Sequence, residues 1–253
     1  MHLASYHIAN MQGIGSRERQ EDSFGYLNAC DVKAIRERGL YFAVCDGMGG
    51  MKDGRIASES AVQYIFGQLS HMDLQKNIAA QLKQYVYESS AVVEGKLEGQ
   101  GGSTAVACLI YQDALYFASV GDSFLYLKRG EELIRLNTEH NLCTRMYKEA
   151  IESGELDPEP PRVHPESHAL TAFLGMPGLA EMDGSVKPYP IKEGDVILAC
   201  SDGVGGVLSE GEVLTALSYK EPEAMCEAIK LGVLAHQKPN QDNFTAVVVK
   251  CVR

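Results

Sequence analysis

TAVACLIYQDALYFASVGDSFLYLKRGEELIRL, residues 104–136, strings four apolar runs of strand length between short polar breaks. Gln112-Asp113 and Lys128-Arg129-Gly130-Glu131 separate neighbouring runs as hairpin turns do. The stretch reads as an antiparallel meander. Further runs of the same kind lie at 40–45, 196–200 and 244–252. Helical periodicity falls between them. Ile56, Ala57, Ala61, Tyr64, Ile65 and Leu69 mark 55–69, and Ile78, Leu82, Tyr85, Val86 and Val93 mark 74–97. Shorter helices are predicted at 142–152 and at 222–236, where Pro222 suits a first turn, and Ser209 with Glu212 has the form of an N-terminal cap. Strands and helices do not alternate strictly. That pattern argues for an α+β fold, mostly antiparallel sheet with helices packed outside, and against a doubly wound parallel sheet.

The 253 residues suit one large domain with a sizeable core. The net charge of −11 leaves no basic footprint for nucleic acid and no polybasic membrane patch. Cys45, Cys108, Cys200 and Cys251 sit in apolar runs and no CxxC pair occurs, so the cysteines read as small buried hydrophobes in a reducing compartment. No apolar run reaches spanning length and the N-terminus has no secretory pattern, which makes a cytoplasmic location the expectation. Residues 140–190 hold most of the prolines and little periodicity. They read as an inserted, partly irregular flap.

The chemistry lies at the ends of the runs. Tyr41–Cys45 leads to Asp46-Gly47, Tyr116–Val120 to Gly121-Asp122, and Val196–Ser201 to Asp202-Gly203, while Asp242 precedes Phe244–Val249. Glu21-Asp22 follows a loop carrying Arg17 and Arg19. Carboxylates gathered at one sheet edge repel one another unless a hard cation sits among them. An all-oxygen set completed by water suits Mg²⁺ or Mn²⁺. These residues point to metal-dependent phosphoester hydrolysis.

Taken in order, the motifs resemble those of the protein phosphatase type 2C family, the metal-dependent serine/threonine phosphatases, in its compact bacterial form. They are Arg17-Glu18-Arg19-Gln20-Glu21-Asp22, Asp46-Gly47-Met48-Gly49-Gly50, Gly101-Gly102-Ser103-Thr104-Ala105, Val120-Gly121-Asp122-Ser123, His164-Pro165 with Leu170-Thr171 and Leu174-Gly175, Ser201-Asp202-Gly203, and Asp242-Asn243-Phe244-Thr245. The resemblance runs the length of the chain. It implies a single catalytic domain over 1–253 and a four-layer αββα sandwich, two mostly antiparallel sheets flanked by helices, with the flap inserted at about 140–190.

The resemblance also implies roles. Asp46 would bridge two metals, and Asp202 and Asp242 would complete the first metal's shell. The Gly47 carbonyl and Glu21 or Asp22 would serve the second, and Asp122 with Asp202 a third, weaker one. The metals would be Mn²⁺ or Mg²⁺. Arg17 would clamp the phosphate with its planar fork, in competition with Arg19. A metal-bridging hydroxide would attack phosphorus with no phosphoenzyme. Substrates would be phosphoserine and phosphothreonine proteins, partnered by a cognate serine/threonine kinase, and the enzyme would be a monomer. Ser103 and Thr104 read as supporting hydrogen-bond partners, and His164 and His168 as flap-packing or surface residues. Met48 and Met51 stand where some members carry a proton-donating histidine, and Arg55 where bacterial relatives often carry an acid. The missing histidine implies a flatter acid limb in the rate profile than in histidine-bearing relatives. Two rival readings are an inactive adaptor of the same fold and a small-molecule phosphoesterase.

Overall fold

Alternate residues of the strand Leu40–Cys45 enter two different cores. Tyr41, Ala43 and Cys45 face one way, and Leu40, Phe42 and Val44 the other. A strand covered on both faces has no polar side, which is why this run is continuously apolar. The computed structural model describes residues 5–48, 53–154, 161 and 163–252. Within them the strands are β1 (Ser5–Gly13), β2 (Ser23–Leu27), β3 (Leu40–Cys45), β4 (Ala105–Tyr111), β5 (Ala114–Val120), β6 (Phe124–Arg129), β7 (Glu132–Arg135), β8 (Asp183–Gly184), β9 (Tyr189–Pro190), β10 (Val196–Cys200) and β11 (Phe244–Val252). The helices are α1 (Val32–Arg38), α2 (Gly54–Leu69), α3 (Ile78–Leu97), α4 (Leu142–Ser153), α5 (Asp202–Gly205), α6 (Glu210–Ala216) and α7 (Pro222–Ala235).

Two antiparallel sheets result. One has the order β1-β11-β10-β6-β7, the other β2-β3-β4-β5-β8 with β9 also pairing β5. Leu40, Phe42, Val44, Val106, Leu125, Ile197 and Val247 fill the space between the sheets. Ala57, Ile65, Leu82 and Val93 cover the outer face of the second sheet, and Val213, Met225, Ile229 and Val233 that of the first. This is the expected αββα sandwich. No helix among the described residues is long and apolar enough to cross a membrane.

The meander expected over 104–136 needs correcting. β4 pairs β5 and β6 pairs β7, but the two hairpins belong to different sheets. The chain crosses between layers at Gly121-Asp122-Ser123. Gly121 takes φ +93, and a Cβ there would lie 2.6 Å from Thr104 Cγ2, so the corner requires glycine. Turn spacing reveals a reversal, not which sheet receives the next strand. The predicted 74–97 helix starts at Ile78, where the Asn77 side chain accepts from Ala80 N–H. Ser209 and Glu212 form a reciprocal capping box at the start of α6. β1, β2, α1 and α5 had no counterpart in the sequence reading. In the flap, α4 buries no side chain and is tied at its start by Leu142 N–H to Ala169 O, 2.9 Å. Gly49, Gly50, Met51 and residues 155–160 of the flap lie outside the described residues.

Candidate metal centre

Strand register brings the carboxylates together. Ser23 pairs Cys45, so Asp22 and Asp46 are neighbours at one end of the second sheet. Val44 pairs Val106 and Ala105 pairs Val120, which brings the end of β5 and Asp122 to the same edge. In the first sheet Cys200 pairs both Ala246 and Phe124, placing Asp202 and Asp242 at the matching end. The layers join there through Ser201. Its hydroxyl accepts from Thr245 N–H (3.0 Å) and donates to Asp22 Oδ2 (2.8 Å).

Asp122, Asp202 and Asp242 line an open cleft of about 310 Å³ together with Glu139, His168 and Gln241. Asp22 is buried. Asp46 and Asp202 are near enough for each carboxyl to shift the other's protonation. Burial pushes Asp46 well above the usual carboxylate range, and the charges of Asp22, Asp202 and Asp122 push it further. Asp22 is raised to about 6 by burial, against the pull of the Thr245 and Ser201 hydroxyls. Asp122 is raised to about 7 by burial, then by Asp202 and Glu139. Asp202 is raised by burial and Asp242, while Arg17 holds it down.

Arg17 is an exposed residue whose Nη2 donates to Asp242 Oδ2 at 2.7 Å, which sets it beside a residue of the cleft. Arg19 is held through its main chain, its carbonyl accepting from Asn243 Nδ2 at 3.0 Å. Glu21 is also fixed through its main chain: its N–H donates to Asn243 Oδ1 (2.7 Å) and its carbonyl accepts from Gly47 N–H (3.2 Å). Gly47 and Gly203 are demanded by close backbone packing. A Cβ would sit 2.1 Å from Gly54 O at the first and 1.9 Å from Asn243 O at the second. Ser103 and Thr104 brace Asp46: Ser103 Oγ donates to Asp46 O (2.9 Å), and Asp46 N–H donates to Thr104 Oγ1 (3.0 Å). His164 Nδ1 accepts from Glu166 N–H within the flap, whereas His168 lines the cleft itself.

The donor set fits a hard cation. Asp22 Oδ1 and Asp202 Oδ1 are buried without a hydrogen-bond partner, in a cluster whose charges repel. Buried unsatisfied carboxylate oxygens are costly unless something positive completes them. Among the described residues, no group of three or more His, Cys, Asp or Glu side chains is placed, as the side chains stand, to hold a metal ion. An open set of this kind suits ions that keep several waters, as Mg²⁺ does.

Sequence reasoning gave no role to Asn243, Ser201, Glu139 or Gln241. Asn243 and Ser201 lie inside quoted motifs, but their work as clamps depends on a cross-layer geometry that spacing does not carry. Asn243 Nδ2 also donates to Ile14 O at 2.8 Å, pinning the whole 14–21 loop to β11. Glu139 and Gln241 carry no local signal.

Comparison with known proteins places these features in context. The family model described as protein phosphatase 2C matches residues 6–145. The serine/threonine phosphatase stp of Listeria monocytogenes is 30% identical over 246 residues, covering 92% of this chain and 91% of that protein. Protein phosphatase PhpP of Streptococcus pneumoniae is 28% identical over 216 residues, 81% of this chain and 83% of that protein. Among solved structures, the S. agalactiae serine/threonine phosphatase superposes with a TM-score of 0.79 at 25% identity, covering 98% of this chain and 100% of that one. The catalytic domain of the phosphatase PstP, solved with two manganese ions, shares the fold at a TM-score of 0.76 and 24% identity, covering 98% and 99%.

Proposed function

This chain belongs to the protein phosphatase 2C family, and on that footing we propose that its acidic cleft is the metal-dependent centre of a protein serine/threonine phosphatase. The observation that carries the reading is the pair of buried, unpartnered oxygens on Asp22 and Asp202 within a cluster of repelling carboxylates.

Asp46, Asp202 and Asp242 would hold one ion, and Asp46 with the Gly47 carbonyl and Glu21 or Asp22 a second. Asp122 with Asp202 offers a third position. Mn²⁺ and Mg²⁺ both suit these oxygens. Bound ions supply Lewis-acid polarisation of the phosphoryl oxygens and an acidified water. The chain's own residues do the rest. Arg17 presents a planar, permanently charged fork for the phosphate. Ser201 and Thr245 orient the Asp22 carboxylate. Ser103 and Thr104 hold the Asp46 main chain. With Met48 in the metal motif, no histidine of that motif donates a proton to the leaving group. Its substrates would be phosphoserine and phosphothreonine proteins, its partner a cognate serine/threonine kinase, and its working form a cytoplasmic monomer.

Rates on a phosphothreonine peptide, a nucleotide and a small aryl phosphate, each with Mn²⁺ and with Mg²⁺, test the reading. It expects metal-dependent turnover with the peptide preferred. Preference for the nucleotide or the aryl phosphate would favour a small-molecule phosphoesterase. A folded protein inert on all three would favour an adaptor.

A further inference from the structure

We propose that a groove beside the cleft docks an apolar side chain flanking the phosphorylated residue of the protein substrate. The inference rests on the phosphatase reading above. The groove, of about 380 Å³, runs between the Ile14–Ser16 loop and the C-terminal half of α7, with Val233 and Phe244 buried against it. Its rim leaves large apolar groups open to water: Ile14 is 45% exposed and Leu234 48%. Leu231, three positions before Leu234 on α7, is 58% exposed and so extends the same face.

Continuity with the cleft selects the occupant. Lys238 and Gln241 line both the groove and the acidic cleft. Ser16, in the groove, directly precedes Arg17, whose guanidinium reaches Asp242. A phosphate held at Arg17 therefore brings the neighbouring residues of its own chain over the groove. The seam between groove and cleft is polar and basic. Gln241 Nε2 donates to Gly203 O and Asp242 O, both at 3.1 Å, which fixes the amide orientation. Its Oε1 is left buried without a partner. Lys230 and Lys238 at the edge favour an acidic residue near the apolar one. The recognised segment is thus a phosphoresidue flanked by Leu, Ile, Met or Phe and an acid.

The test moves a single leucine through the positions on either side of phosphothreonine in an otherwise Ser/Gly peptide. kcat/KM is measured for each with Mn²⁺, and para-nitrophenyl phosphate is run alongside. One leucine position should raise kcat/KM about tenfold, the scale of apolar pocket discrimination. Leu234→Asp should erase that advantage and leave aryl phosphate turnover unchanged, and Ile14→Asp serves where the first variant does not fold. A flat leucine scan with normal aryl phosphate turnover overturns the groove alone. So does a leucine advantage of full size in both variants. So does sedimentation showing a dimer that Leu231→Asp dissolves, which would give this face to a second copy. No turnover on any substrate removes the phosphatase reading and the groove together.

Discussion

Arg17 Nη2 and Asp242 Oδ2 stand 2.7 Å apart, so the cleft's phosphate-binding candidate is held by one of its metal-binding candidates. The two roles share one oxygen. A cation drawing on that oxygen would weaken its hold on Arg17 and free the guanidinium fork for phosphate. Both side chains are more than a third exposed, so the pair itself adds little to stability.

Arg17→Ala should therefore weaken the substrate interaction and spare the fold. A hydrogen bond to a charged group is worth about 1.5–3 kcal/mol, or roughly 10- to 150-fold in kcat/KM on a phosphothreonine peptide. Tm should stay within about 2 °C, as for an exposed site worth little. Calorimetric Mn²⁺ affinity should hold or improve, because Asp242 loses a competitor. Weaker Mn²⁺ binding in the variant would contradict this arrangement.

Asn243→Ala should act on the loop that carries Arg17. The side chain ties Glu21 N–H, Ile14 O and Arg19 O, and it is buried. Leaving buried polar groups unsatisfied costs about 1–3 kcal/mol each. Denaturant melts should show a loss of at least that size, with a raised KM for phosphopeptide. Unchanged stability and KM would remove Asn243 from its clamp role.

Metal and pH should act in opposite directions on stability. In the metal-free protein, Asp22 and Asp122 are raised to about 6 and about 7 by burial and neighbouring charge. The folded state then binds more protons than the unfolded one between about pH 4 and 7, so stability falls as pH rises through that window. Metal binding needs the deprotonated forms and strengthens with pH. Thermal melts with chelator or with excess Mn²⁺ should differ little at pH 5. At pH 8 they should differ by several degrees, since an ion at about 100 times its Kd adds about 2.7 kcal/mol. A gap that narrows toward pH 8 would contradict the account.

Gly203→Ala should prevent normal folding. A Cβ there would stand 1.9 Å from Asn243 O, a main-chain atom that cannot move without pulling β11. Expression with a native circular dichroism spectrum and unchanged Mn²⁺ affinity would show that α5 shifts freely, against the packing described.

Much of this fold was legible because its central strands are buried on both faces. β3, β10 and β11 read as unbroken apolar runs, and each run pointed to a carboxylate. β1 and β2 were not legible. They are only half-buried and of mixed polarity, so neither alternation nor a continuous run marks them. The split of 104–136 between layers was hidden for another reason: Gly121 marks a turn, and only the packing against Thr104 decides where the chain goes next. At the site, Asp46, Asp122, Asp202 and Asp242 were readable from position. The clamps Ser201 and Asn243 work across more than 170 residues of sequence, beyond the reach of any local pattern.

The most direct test is phosphate release from a phosphothreonine peptide across a Mn²⁺ titration, with Asp202→Asn in parallel. The account predicts saturable, metal-dependent release in the native protein and its collapse in the variant, with both folded. Release independent of added metal and insensitive to chelator, or full activity in Asp202→Asn, would contradict it.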